Sequence, residues 1–249
     1  MVSKIRLLEI ELFSYCNRTC NFCPNSFIDR LSDNKILPRE SFHKLIVELK
    51  ESNYQGVISF SRYCEPFAFR DILEDRIKIV RELLPDVKLV CNTNGDYDWE
   101  GIDLDEVTIM DYDNKLDKNE LGLYNRSKKP FVIRKMRLGK INNRAGALEK
   151  IRSRYVRTAP CYEPTYFVGI DYNGEVAPCC NIRSDINLHK PYMLGNIQTQ
   201  TLTEILIADK ATKFRNKVAS CNFDSICLSC SKMPGRYTSD KPDIMNPTT

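Results

Sequence analysis

At 249 residues the chain has room for one sizeable core, or for one domain with a smaller appendage. With 42% hydrophobic and 28% charged residues it has the composition of an ordinary globular protein, and no apolar run nears the roughly 20 residues of a bilayer span, which excludes an integral helical membrane protein. The net charge is a modest +4, but twelve Lys or Arg against one acid, Glu149, fall between residues 126 and 157; such a segment is a solvated face or attracts an anionic substrate or an acidic electron donor, and its few aromatics and lack of a recognition motif argue against nucleic acid.

The N-terminal "MVSKIRLLEIELF" alternates charged with apolar residues and lacks the unbroken apolar core of a secretory signal, so a cytoplasmic location is expected. Residues 5–12 read as a strand, followed at once by the loop "SYCNRTCNFCP". "LPRESFHKLIVELKESN" then sets Phe42, Leu45, Ile46 and Leu49 on one helical face, with Pro38 at the first turn, where a missing N–H costs little. Strand "GVISFS" leads to a second amphipathic helix with Leu73, Ile77, Val80 and Leu84, then to strand "VKLVC", an Asn-Gly turn and strand "VTIMD". Strands alternating with helices of this length imply parallel βαβ units curling into an open or closed barrel, with functional loops at the C-terminal strand ends. There stand the cysteine loop, "RYCEP", "NTNG" and "DYD". After about residue 158 the organisation changes. "YFVGIDYNGEVAPCC" reads as a hairpin turning at Asn173-Gly174, "TLTE" at Thr201 to Glu204 is a capping box, and the end of the chain reads as a loose tail.

Eleven cysteines are too many for core filler, and disulfides are disfavoured in a reducing compartment, so metal binding is expected. Three of them, Cys16, Cys20 and Cys23, can converge on one centre from a single loop. Structural zinc would need a fourth ligand, and the next histidine, His43, falls on another element and reads as a helix-surface residue. A four-iron cluster with three protein ligands leaves one iron open for chemistry. A second group comprises Cys161, Cys179, Cys227 and Cys230, able to close around iron–sulfur or zinc, with Cys180 and Cys221 nearby. Adjacent cysteines on a strand face opposite ways, which together with the spacing to Cys161 favours Cys179 over Cys180 as a ligand. Cys91, ending an apolar strand, reads as core.

The trio, with Phe22 just before the third cysteine, resembles the signature of the radical S-adenosylmethionine superfamily. "YCEP" at Tyr63 to Pro66 is similar to that family's Gly-Gly-Glu-Pro element, with Cys64 where glycine is usual and Glu65 the matching acid; "NTNG" is similar to its third-strand turn, with Thr93 and Asn94 as candidates. The second group resembles the SPASM region in its shortened, single-cluster twitch form, and "NRAGAL" at Asn143 to Leu148 is similar to a segment that precedes it in dehydrogenases of this type. The resemblance implies a partial (β/α)6-type barrel over residues 1–158, an auxiliary-cluster region of hairpin plus helix over 159–235, and a tail over 236–249. It implies S-adenosylmethionine chelating the open iron, a 5'-deoxyadenosyl radical that removes hydrogen, and one auxiliary 4Fe-4S cluster that accepts the second electron. It places Arg144 near substrate, as a holder of oxygen rather than a base, since guanidinium does not deprotonate in proteins. Asp111 and Asp113, at a strand's C-terminal end, are candidate polar contacts or bases, or else ordinary loop acids. The expected function is two-electron oxidation of a polyol, sugar or aminocyclitol, with a flavodoxin- or ferredoxin-type donor; a peptide-modifying enzyme and a non-catalytic iron–sulfur or zinc protein are the alternatives.

Overall fold

The computed structural model describes residues 1–113, 131–135, 142–148 and 156–230. Most of the basic segment and the expected tail therefore lie outside the described residues. The N-terminal half alternates as expected: β1 (Leu7–Ile10), α1 (Arg39–Glu51), β2 (Val57–Ser59), α2 (Arg70–Leu83), β3 (Lys88–Thr93) and β4 (Glu106–Asp111), with β5 (Phe131–Lys135) next. There follow α3 (Glu163–Tyr166), β6 (Phe167–Ile170), β7 (Glu175–Ala177), β8 (Gly195–Asn196), α4 (Leu202–Ile207), α5 (Asp209–Ala219) and α6 (Ser225–Leu228). No helix among the described residues is long and apolar enough to cross a membrane.

The strands form one sheet in the order β5-β4-β3-β2-β1-β6-β7-β8. Each pairing from β5 to β6 is parallel, and β7 and β8 continue antiparallel, giving the expected α/β partial barrel with a hairpin at its end. The hairpin turns where the sequence placed it: Gly174 adopts φ +79°, and its N–H donates to Asp171 O at 2.8 Å. It does not stand apart from the barrel. Its first strand, β6, pairs in parallel with β1 along Leu7–Phe167 to Ile10–Ile170, and so is the sixth parallel strand. All four β6 residues are buried, as a strand with neighbours on both edges and cover on both faces requires.

The predicted helical faces are the buried ones. Phe42, Leu45, Ile46 and Leu49 of α1 and Leu73, Ile77 and Val80 of α2, with Leu84 just after it, join β1 to β4 in one hydrophobic core that also takes in Cys91. His43 is exposed, as expected. The C-terminal region is tied back to the barrel: Thr201 and Glu204 form the predicted capping box, and Glu48 of α1 accepts the free N–H groups of Leu202 and Thr203 at 2.7 and 2.6 Å. Because the strands run parallel, the loops after β1, β2, β3 and β4 meet at one end of the sheet.

Candidate functional site

The loop after β1 brings Cys16, Cys20 and Cys23 together, each partly buried. Short-range bonds hold it: Cys23 N–H donates to Cys20 O at 2.9 Å, Cys16 N–H to Arg30 O at 3.2 Å, and Pro24 opens a single 3-10 turn that ends the loop. The three thiols face a cavity of about 120 Å³ whose wall also includes Phe22, Tyr63, Glu65, Thr93 and Asn94. All five residues expected to bind cofactor thus share one space with the trio. Burial pushes the Cys16 thiol up to about 11, with Glu65, Cys23 and Cys20 adding to it and the Arg18 backbone N–H acting the other way. Among the described residues no three His, Cys, Asp or Glu side chains stand at the spacing of a single bound ion. Three thiols on one cavity wall fit the three protein ligands of a cluster with one open iron.

Glu65 is almost fully buried and is gripped from three sides: Thr93 Oγ1–H donates at 2.6 Å, Asn94 N–H at 2.9 Å and Phe67 N–H at 3.3 Å. Burial nonetheless pushes its carboxyl up to about 7. A cation at the cavity wall would stabilise the charged form of this buried carboxyl. The folded chain holds a proton that the unfolded chain, with an ordinary value of 4.5, has lost, so stability falls as pH rises from about 4.5 to about 7. The full loss is about 3 kcal/mol. Urea midpoints of the metal-free chain on either side of this window should differ accordingly, and Glu65→Gln should flatten the slope.

A polar chain stitches the loops to one another. Asn94 Nδ2 donates to Asn17 Oδ1 at 2.8 Å, Asn17 Nδ2 to Asp96 Oδ2 at 2.7 Å, Arg18 Nε to Asp96 Oδ2 at 2.6 Å and Arg18 Nη1 to Asp113 Oδ2 at 3.1 Å. Asp113 is thereby engaged as an ion-pair partner at the rim. Asp111 is buried at the end of β4 and does not line the cavity.

Tyr63 forms the wall toward the C-terminal region. Burial pushes its phenol well above its ordinary value, so it stays neutral, and its O–H donates to Cys180 O at 2.7 Å. Arg183 stacks over the ring at 4.0 Å and Arg144 lies 5.7 Å from the centroid. Arg144 Nε has no hydrogen-bond partner among the described residues, and Nη1 makes only a long contact of 3.5 Å to Asn181. Beyond Tyr63, the thiols of Cys161, Cys179, Cys227 and Cys230 act on one another electrostatically; burial, Cys230 and Cys161 push Cys227 up to about 12. Cys161 N–H is held by Val218 O at 3.0 Å, and Cys230 O accepts from Arg157 Nη2 at 3.1 Å. Cys221 is exposed at φ +62°. The strand argument for choosing between Cys179 and Cys180 does not apply, because β7 ends at Ala177 and both cysteines lie in the turn after it. After burial, Cys179 is raised first by Cys180 and then by Cys230 and Cys227, while Cys180 also acts on Tyr63 and Arg144.

Comparison with known proteins agrees with this geometry. The model of the SPASM iron-sulfur cluster-binding domain matches residues 161–231. Over 240 residues the chain is 25% identical to the S-adenosyl-L-methionine-dependent 2-deoxy-scyllo-inosamine dehydrogenase of Niallia circulans, covering 91% of this chain and 93% of that protein. The chain is thus similar to radical S-adenosylmethionine proteins with a SPASM region. Among solved structures, BtrN in complex with AdoMet and 2-DOIA superposes with a TM-score of 0.74 at 22% identity, covering 92% of this chain and 93% of that one. Native anSMEcpe with bound AdoMet shares the fold more distantly, with a TM-score of 0.57 at 14% identity over 90% and 88% of the two chains.

Cys64, the departure at the position where the similar element has glycine, is accommodated by burial in the main core on the cavity wall. Sequence reading missed Asn17, Arg18, Asp96 and Tyr112, whose ring lies 5.1 Å from that of Phe22. Asp96 was within reach, since it follows the Asn-Gly turn in a strand-end loop. The others carry no signal in their spacing.

Proposed function

We propose that this protein oxidises an alcohol carbon of a small polar substrate, a polyol, sugar or aminocyclitol, by two electrons. The observation that carries the reading is the placement of two cysteine groups on either side of Tyr63, one facing a cavity with Glu65 and the other forming the matched SPASM region. Cys16, Cys20 and Cys23 would hold a 4Fe-4S cluster; Cys161, Cys179, Cys227 and Cys230 would hold an auxiliary 4Fe-4S cluster. When bound, these clusters and S-adenosylmethionine supply a hydrogen-abstracting radical and an acceptor for the second electron. Residues 1–158 would carry the first function, residues 159–235 the second, and 236–249 a tail.

The chain's own residues do the rest. Glu65 takes the methionine ammonium, Thr93 and Asn94 keep that carboxylate aimed, and Phe22 and Tyr63 wall the space. Arg144, beside Tyr63, would hold a substrate oxygen, which suits an oxygen-rich or anionic substrate. Asp113, held by Arg18 at the rim, is the carboxylate placed for a polar contact, whereas Asp111 does not line the cavity. The basic segment would dock an acidic flavodoxin- or ferredoxin-type donor in the cytoplasm.

Anaerobic incubation of the reconstituted protein with S-adenosylmethionine, a reductant and 2-deoxy-scyllo-inosamine tests this reading. 5'-Deoxyadenosine and a ketone product should form in equal amount. Cleavage without substrate oxidation across a panel of polyols and aminocyclitols, with oxidation of a peptide instead, would overturn it.

A further inference from the structure

His189 is one of two histidines in the chain and is fully buried, yet neither cysteine group nor the cavity wall includes it. Both ring nitrogens are used. Arg183 N–H donates to Nδ1 at 3.2 Å, so Nδ1 carries no proton. Nε2 stands 3.0 Å from Ala145 O, which can only accept, so the ring is neutral with its proton on Nε2. Burial, with Arg183 nearby, keeps the imidazole below its ordinary pKa, while Asp185 and Asp171 act the other way.

The carbonyl that His189 holds lies in an unusual stretch of backbone. Arg144, Ala145 and Gly146 adopt φ of +50°, +51° and +86°, three successive left-handed residues of which two carry side chains. Such a run persists only when its surroundings fix it. Local bonds supply part of the restraint: Arg144 N–H donates to Asn142 Oδ1 at 2.9 Å, and Leu148 N–H to Asn143 O at 3.1 Å. Asn143 Nδ2 ties the stretch to Ser229 Oγ at 3.3 Å. His189 adds a buried tie toward the cavity wall, because Arg183, at its other nitrogen, is itself stacked 4.0 Å over Tyr63 and bonded to Asn25 Oδ1 at 3.0 Å.

We infer that His189 is a positioning residue that sets Arg144 beside Tyr63 on the cavity wall, by holding Ala145 O in register with Arg183 and Tyr63. The inference deepens the proposed function and rests on it for the role of Arg144. An asparagine side chain at 189 reaches only the place of Nδ1, and a glutamine amide reaches the place of Nε2–H, so the two substitutions separate the two bonds. In the full-length reconstituted protein, hydrogen exchange across residues 142–148 should quicken about tenfold in His189→Asn and His189→Leu and stay at the native rate in His189→Gln. With 2-deoxy-scyllo-inosamine as probe, kcat/KM should fall about a hundredfold in His189→Asn and be largely kept in His189→Gln, with KM for S-adenosylmethionine unmoved in both. Equal exchange in the Asn and Gln variants, or native kcat/KM in His189→Asn, would overturn the inference. Should the probe not be oxidised by any form while the exchange pattern holds, the tether stands and the proposed reaction falls.

Discussion

Replacing Cys20 by alanine is expected to abolish cleavage of S-adenosylmethionine while the chain keeps about half of its iron, falling from about eight atoms to about four. Cys20 lies half-buried on the cavity between Cys16 and Cys23, and a three-thiol site has no spare ligand to offer. The second group is held by other elements, through Val218 O behind Cys161 and Arg157 behind Cys230, so its iron should survive. The reverse substitution, Cys230→Ala, should leave 5'-deoxyadenosine formation in place and remove the two-electron product. Cys221→Ala should change neither, because Cys221 is exposed. Anaerobic iron and sulfide analysis beside a 5'-deoxyadenosine assay separates these outcomes.

The largest effect on stability is expected at Arg30. Its guanidinium donates to Glu11 Oε1 at 2.9 Å, Ser14 O at 2.7 Å and Asp185 Oδ2 at 2.6 Å, and lies 4.8 Å over the Tyr172 ring. Glu11 is fully buried; burial raises its carboxyl pKa, with Arg30 the main opposing charge. Arg30→Met strands that carboxylate and should cost about 3–5 kcal/mol, or about 10 °C in Tm for a chain of this size. Glu11→Gln added to it should recover part of the loss, since the stranded charge is then gone. The same variant should loosen the cysteine loop, because Arg30 O accepts from Cys16 N–H. A thermal melt of the native chain and these two variants reads both the loss and the recovery.

Much of this site could be read from the chain because its parts are local. Cys16, Cys20 and Cys23 share one loop, and Glu65, Thr93 and Asn94 each sit where an apolar run with helical flanks ends, which in a parallel sheet puts them at one rim. The groups that fix the rim carry no such period. Arg30 meets Asp185 across 155 residues, and Arg183 meets Asn25 across 158. Nothing in the spacing of either pair distinguishes it from other Arg and polar residues. The hairpin at Asn173-Gly174 was legible from its turn, but not the parallel pairing of β6 with β1, since a short apolar run buried on both faces does not name its neighbour. Strand alternation failed at Cys179 and Cys180 for a simple reason: the ladder stops short of both, at Ala177.

At the centre of the proposed chemistry, the N-terminal trio would leave one iron for S-adenosylmethionine. Electron paramagnetic resonance of the reduced, reconstituted protein with S-adenosylmethionine labelled at its amino nitrogen tests that most directly. Hyperfine coupling between the label and the reduced cluster is expected in the native protein and in Cys230→Ala, and none in Cys20→Ala. Zinc at the trio, or a cluster completed by a fourth side chain with no coupling to the label, would contradict it.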